Sequence, residues 1–156
     1  MNLAHLITEE QILDDMQSTE HFLALAELVD HLESKNLLTG VGVTRESVME
    51  AVRDREDQTT TGIGAGVAIP HAFVPGLESV LAVVGRSKEG IDFESIDNVP
   101  VNLVVLFVVP EDQYQTHLET LASIAKMLSD GETRARLTDA ADSPAILQVI
   151  KDRFGG

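Results

Sequence analysis

Apolar residues change their spacing twice along this chain. In "STEHFLALAELVDHLESKN", residues 18–36, Phe22, Leu25, Ala26, Val29 and Leu32 recur every three or four positions, the spacing of one helix face. Ser18 or Thr19 is the expected cap. The stretch "LLTGVGV" reads as a glycine turn into a second helix, running from Thr44 as cap to about Arg55. The period then shortens. "GVAIPH", "VLAVVGRS" and "VNLVVLFVVP" are short Val-rich runs, and the last has eight apolar residues among the nine from Val101 to Val109. Such a run predicts a strand covered on both faces. "SIDNVPV" ahead of it is turn chemistry. Helical spacing returns from about Thr116 through Leu128, further helices are expected near 131–138 and 144–153, and a short strand near Ile12. Helices at both ends with strands between them predict an α/β or α+β fold, a sheet with helices packed on its faces, in a single domain over 1–156.

Composition narrows the function. Eleven Lys and Arg against 26 Asp and Glu give a formal net charge of -15. That field repels phosphate backbones and anionic membrane surfaces, which argues against nucleic-acid partners and draws in basic proteins. With no cysteine, disulfides, zinc ribbons and thiol catalysis are excluded. No apolar run approaches a membrane span, and "MNLAHLITEEQ" is too acidic for a signal peptide, so a cytoplasmic location is expected.

Candidate chemistry concentrates in "TGIGAGVAIPHAF", residues 61–73. Glycines 62, 64 and 66 leave backbone N–H groups able to turn toward one point and nest an anion. The stretch lacks the Gly-Lys-Ser/Thr ending of a Walker loop, and a strand rather than a helix follows it, which excludes the dinucleotide fingerprint. Pro70 offers no N–H to a ladder, so the strand is expected to stop there with His71 at its C-terminal edge. Two companions follow from helix geometry. Arg55 lies about 20° around the wheel from apolar Val48, whereas Arg53 lies about 140° away. His117 falls within about 40° of Leu121, Ile124 and Leu128, at the start of a helix for which Thr116 is the expected cap and Glu119 its capping-box partner. Two imidazoles, a guanidinium and free N–H groups converging on one point would hold a phosphoryl dianion. His5, His21 and His31 are expected as surface or packing residues.

"REDQTTTGIGAGVAIPHA", "IDFESIDNVPVNLVVLFVVPED" and "THLETLASIAKML" together resemble the IIA domain of the bacterial phosphoenolpyruvate:sugar phosphotransferase system, of the fructose/mannitol type that includes the stand-alone nitrogen-regulatory IIA protein. The resemblance implies a mixed sheet flanked by helices. It also implies a phosphohistidine carrier in which His71 accepts a phosphoryl group from HPr or its nitrogen-branch counterpart, and passes it to a IIB domain or uses it as a regulatory signal. His117 and Arg55 would offset charge on the phosphoryl oxygens, with Thr60, Thr61 and the N–H groups near Gly62, Gly64 and Gly66 as further donors. No cofactor, nucleotide or metal is implied. The second of the quoted stretches looks more like the nitrogen-regulatory branch, and with the chain ending at Gly156 a stand-alone domain, with no fused IIB or IIC, is expected. "AFVPGLESV" departs from the basic or polar residue that often follows the Pro-His pair, which makes the rim more apolar. Two other readings stand beside the carrier: a docking module of the same fold acting without phosphoryl transfer, and a metal-dependent hydrolase using His71 and His117, which suffers from the lack of a His-x-x-x-His spacing.

Overall fold

The computed structural model describes residues 3–40 and 42–154; Val41, within the expected glycine turn, lies outside them. A short N-terminal helix α1 (Leu3–Leu6) is followed by strand β1 (Ile12–Leu13), then by α2 (His21–Ser34) and α3 (Arg45–Gln58). Strands β2 (Gly62–Gly64), β3 (Val67–Ala68), β4 (His71–Val74), β5 (Leu81–Ile91) and β6 (Val101–Pro110) come next, and α4 (Tyr114–Leu128), α5 (Gly131–Asp139) and α6 (Ser143–Phe154) complete the chain.

One mixed sheet, in the order β1-β5-β6-β3-β2 with β4 also paired to β6, forms the middle layer. β5 and β6 run antiparallel, while β3 and β4 both run parallel to β6 at different heights, Val67 opposite Leu103 and His71 opposite Phe107. They are two pieces of one broken strand. Alternate residues of β6 enter opposite cores: Val104, Leu106 and Val108 pack with α2 and α3, and Val105, Phe107 and Val109 pack with α1, α4, α5 and α6. Helices on both faces explain why this strand is apolar almost throughout.

The expected elements are present, with two corrections at helix starts. Glu20 caps α2, accepting from the N–H groups of Phe22 and Leu23, so neither Ser18 nor Thr19 is the cap. A carboxylate there also meets the positive end of the helix. Gln113 precedes α4, and Thr116 lies inside the helix; the 3-10 turn Glu111–Gln113 leads directly into it and starts the helical path early. Thr44 caps α3 as expected, in a capping box with Ser47.

Arg86 of β5 is only 2% exposed. Its Nε donates to the carbonyl of Asp14 at 3.1 Å and its Nη1 reaches the carbonyls of Leu137 at 3.3 Å and Thr138 at 3.5 Å, as well as that of Ala140. These last three belong to the C-terminal end of α5, where carbonyls have no intrahelical partner. A single side chain thus seals the end of α5 to the sheet.

The β2–β3 turn carries three successive residues with left-handed backbone, Gly64 (φ 96), Ala65 (φ 58) and Gly66 (φ 81). A side chain at Ala65 is strained there, and asparagine tolerates this region better because its side chain bonds locally. Ala65 is exposed, so Ala65→Asn should stabilise the fold by about 0.5 kcal/mol, raising the melting temperature by one to two degrees on the order expected for this chain length. A thermal melt showing no rise, or a fall, contradicts this.

Candidate functional site

Pro70 breaks the strand, and the chain resumes pairing one residue later. The carbonyl of Pro70 accepts from the Phe107 N–H at 2.9 Å, and His71 is the first residue of β4. His71 therefore opens a strand and does not close one, a correction to the expected C-terminal edge. Pro70 lacks only the donor; its carbonyl remains available to the ladder. Among the described residues β4 has no strand on its outer side, and His71 is half-buried there.

The imidazole is fixed by the backbone just before it. His71 Nδ1 lies 2.9 Å from the carbonyl oxygen of Ile69. A carbonyl only accepts, so Nδ1 carries the hydrogen and the lone pair is left on Nε2. Burial pushes the His71 imidazole below the ordinary histidine range and the Arg55 charge adds to this, while the Ile69 carbonyl and the Glu56 carboxylate act against it. The ring is neutral at neutral pH, with a lone pair on Nε2.

Arg55 approaches from α3. Its Nη1 donates to the carbonyl of Thr59 at 3.2 Å. With Ala51, Asp54, Phe73 and Pro75 it lines an open cleft of about 720 Å³ between α3 and β4. Arg53 is exposed and Arg55 is half-buried, as the helical wheel predicts. His117 stands on the opposite face, 3% exposed. Its ring packs edge-on to Phe107 at 5.7 Å between centroids, and Phe107 is the backbone partner of His71. Phe107 thus links the two histidines. Nε2 of His117 lies 3.2 Å from the Gln113 side-chain oxygen, whereas Nδ1 is buried with no hydrogen-bond partner among the described residues. Burial pushes this imidazole down as well. At the rim, Phe73 packs on Tyr114 at 4.7 Å and edge-on to His71 at 6.5 Å, and Tyr114 and Leu118 are exposed. Val74 is buried in the core under α2 and α3.

The glycines and threonines do different work from that expected. Gly62 pairs with Ala68 and Gly64 with Val67, so the hairpin turn lies at the far end of β3 from His71. The Gly62 N–H donates to Thr60 Oγ1 at 3.1 Å, and the Ala65 N–H to Asp97 Oδ2 at 2.9 Å. A Cβ on Gly62 would stand 2.3 Å from Ser95 Oγ, which explains the glycine as close packing. Gly66 turns the hairpin, and its carbonyl accepts from Asn102 and Leu103. Both threonine hydroxyls are also engaged: Thr60 Oγ1 donates to the carbonyl of Phe93 at 2.7 Å and Thr61 Oγ1 to Glu56 Oε2 at 2.7 Å. Gly62, Gly64, Gly66, Thr60 and Thr61 thus build the hairpin that leads into the His71 strand, with the Gly62 N–H and both threonine hydroxyls engaged within the protein.

Two residues escaped the sequence. Glu56 is 4% exposed, and its carboxylate meets Thr61 N at 2.8 Å, Thr61 Oγ1 at 2.7 Å and His21 Nε2 at 2.7 Å. His21, expected at the surface or in packing, is 6% exposed and paired. The signal was present: Glu56 stands four residues after Val52 and seven after Met49, and His21 four before Leu25, both on an apolar stripe.

A model of the family described as phosphoenolpyruvate-dependent sugar phosphotransferase system, EIIA 2, matches residues 5–153. A nitrogen regulatory protein of Bradyrhizobium diazoefficiens is 37% identical over 150 residues, covering 96% of this chain and 95% of that protein. The fructose-specific EIIABC component of Bacillus subtilis is 35% identical over 150 residues, 96% of this chain but 23% of that protein's length. Among solved structures, the nitrogen regulatory protein IIA-Ntr of Neisseria meningitidis superposes with a TM-score of 0.86 at 26% identity, over 95% of this chain and 98% of that one. An Escherichia coli mannitol IIA, solved in complex with phosphorylated IIB, shares the fold with a TM-score of 0.76 at 19% identity, over 94% and 97% of the two chains.

Proposed function

The chain belongs to the phosphoenolpyruvate-dependent sugar phosphotransferase system EIIA 2 family, and on that premise we propose that it is a phosphohistidine carrier whose acceptor atom is His71 Nε2. One observation carries the assignment of the atom. The Nδ1 hydrogen bond to Ile69 leaves Nε2 as the nitrogen with a free lone pair, on a half-buried ring kept neutral by burial and the Arg55 charge.

The Nε2 lone pair attacks phosphorus in line as the P–N bond to the histidine of an HPr-like donor breaks, and that bond's electrons return to the donor imidazole. Arg55 faces the charge on the transferred oxygens. The His117 Nε2–H, held at 3.2 Å by an amide oxygen, is a donor that a dianion outcompetes Gln113 for. The phosphoryl group then moves to a IIB domain or marks the protein for a regulatory target. The nitrogen-regulatory role is favoured by the 37% identity across nearly all of a nitrogen regulatory protein. Bound as phosphohistidine, the group needs no nucleotide.

Incubation with labelled phosphoenolpyruvate, enzyme I and HPr or its nitrogen-branch counterpart tests this. The expected product is an acid-labile, base-stable label, with the ring nitrogen shifts of His71 showing substitution at Nε2. Absence of label with both donors would overturn the carrier reading in favour of a docking module, and label on Nδ1 would overturn the assignment of the atom.

A further inference from the structure

A continuous run of hydrogen bonds leads from the start of α2 to the His71 ring. Glu56 is held below the usual carboxylate range: burial acts to raise it, and the hydrogen bonds from His21 and Thr61 outweigh that. An ionised carboxylate only accepts, so His21 Nε2 carries a hydrogen and donates to Glu56 Oε1 at 2.7 Å. Glu56 in turn receives both donors of Thr61. The Thr61 carbonyl accepts from Ile69 N at 3.1 Å, and the Ile69 carbonyl receives His71 Nδ1. His21 itself is packed, stacked on Phe22 at 4.7 Å and tilted against Phe93 at 4.3 Å. Phe93 supplies the carbonyl that anchors Thr60.

We propose that His21 is a positioning residue for His71, acting through the relay His21–Glu56–Thr61–Ile69. The relay fixes the height of the Ile69 carbonyl, which sets the tautomer and orientation of the acceptor ring. This rests on His71 being the phosphoryl acceptor. His21 touches neither the donor nor the phosphoryl group; its effect is on how often Nε2 stands in line. The device differs from ring packing because it needs the N–H of His21 and not its aromatic face.

Two substitutions separate those roles. His21→Phe keeps the ring between Phe22 and Phe93 and removes the donor, leaving the buried Glu56 short of one hydrogen bond. His21→Gln removes the ring and keeps an N–H at a similar reach. In the labelled transfer assay His21→Phe should lower kcat about tenfold with KM for the phosphorylated donor little changed, within the range that small misplacements of reacting groups cost. NMR should show faster exchange of the Thr61 amide and an altered His71 titration, and His21→Gln should recover all three. The proposal is overturned if His21→Phe matches the wild type in kcat and in His71 titration, or if His21→Gln, shown folded by its melting curve, fails as His21→Phe does. Should the wild type accept no phosphoryl group, the carrier reading fails by itself, and the Thr61 exchange and His71 titration still decide whether the relay sets the ring.

Discussion

His71→Ala should take up no label over any interval in which the wild type saturates, while His117→Ala should label fully but about a hundredfold more slowly, the usual cost of removing one preorganised donor from a charged transition state. The difference follows from bond making. In the proposed transfer His71 Nε2 supplies the electron pair for the new P–N bond, its ring held by the Nδ1 contact to the Ile69 carbonyl. In that transfer His117 would form no bond to phosphorus, so its loss leaves a route open. Arg55 still offsets part of the charge. The rate should also fall in acid. His71 lies below the ordinary histidine range, so the nucleophilic neutral form persists through neutrality and is lost only as pH drops through that lowered value. A rate unaffected by His117→Ala would remove His117 from the chemistry, and equal loss of label in both variants, each shown folded by its melting curve, would make it indispensable rather than assisting.

Arg86→Met should destabilise the fold by about 3 kcal/mol, the scale of a buried charged donor whose partners are left unpaired. Methionine fills much of the space of the aliphatic stem and supplies no N–H. The carbonyls of Asp14, Leu137 and Ala140 then lose the guanidinium, and the end of α5 loses its seal to the sheet. At this chain length the melting temperature should fall by about 10 degrees. Arg86→Lys should recover little, because one ammonium cannot span acceptors presented by β1's flank and α5 together. A fall of under about two degrees for Arg86→Met would show that solvent satisfies those carbonyls as well as the guanidinium does.

Elements were legible where a period was long. The stripe through Leu25, Val29 and Leu32 and the run through β6 each had enough residues for the pattern to exceed chance, and the placement of Arg55 inward of Arg53 followed from the same geometry. Caps were less legible, because Ser18, Thr19 and Glu20 stand side by side and only the entry angle of the chain selects the carboxylate. The glycine cluster was ambiguous for a physical reason. Backbone freedom is the common requirement of an anion nest and of a tight hairpin, and the sequence does not show that the Gly62 N–H goes to Thr60 and the Ala65 N–H to Asp97. Glu56 and His21 were hidden because a charged residue on an apolar stripe looks like a break in the pattern until its partner, 35 positions away, is seen beside it.

The broken strand has one more consequence. Pro70 and His71 are stitched to Phe107 on one side, and Ala72 and Val74 are buried directly beyond. The backbone under the acceptor is thereby clamped at the one place where a message would be written. A phosphoryl group added at Nε2 changes the local charge by about two units without room to displace its own strand. Partners must then tell the two forms apart by field and by contact at the Phe73 and Tyr114 rim, so recognition that depends on phosphorylation should be erased by high salt, whereas a shape-coded signal would survive it.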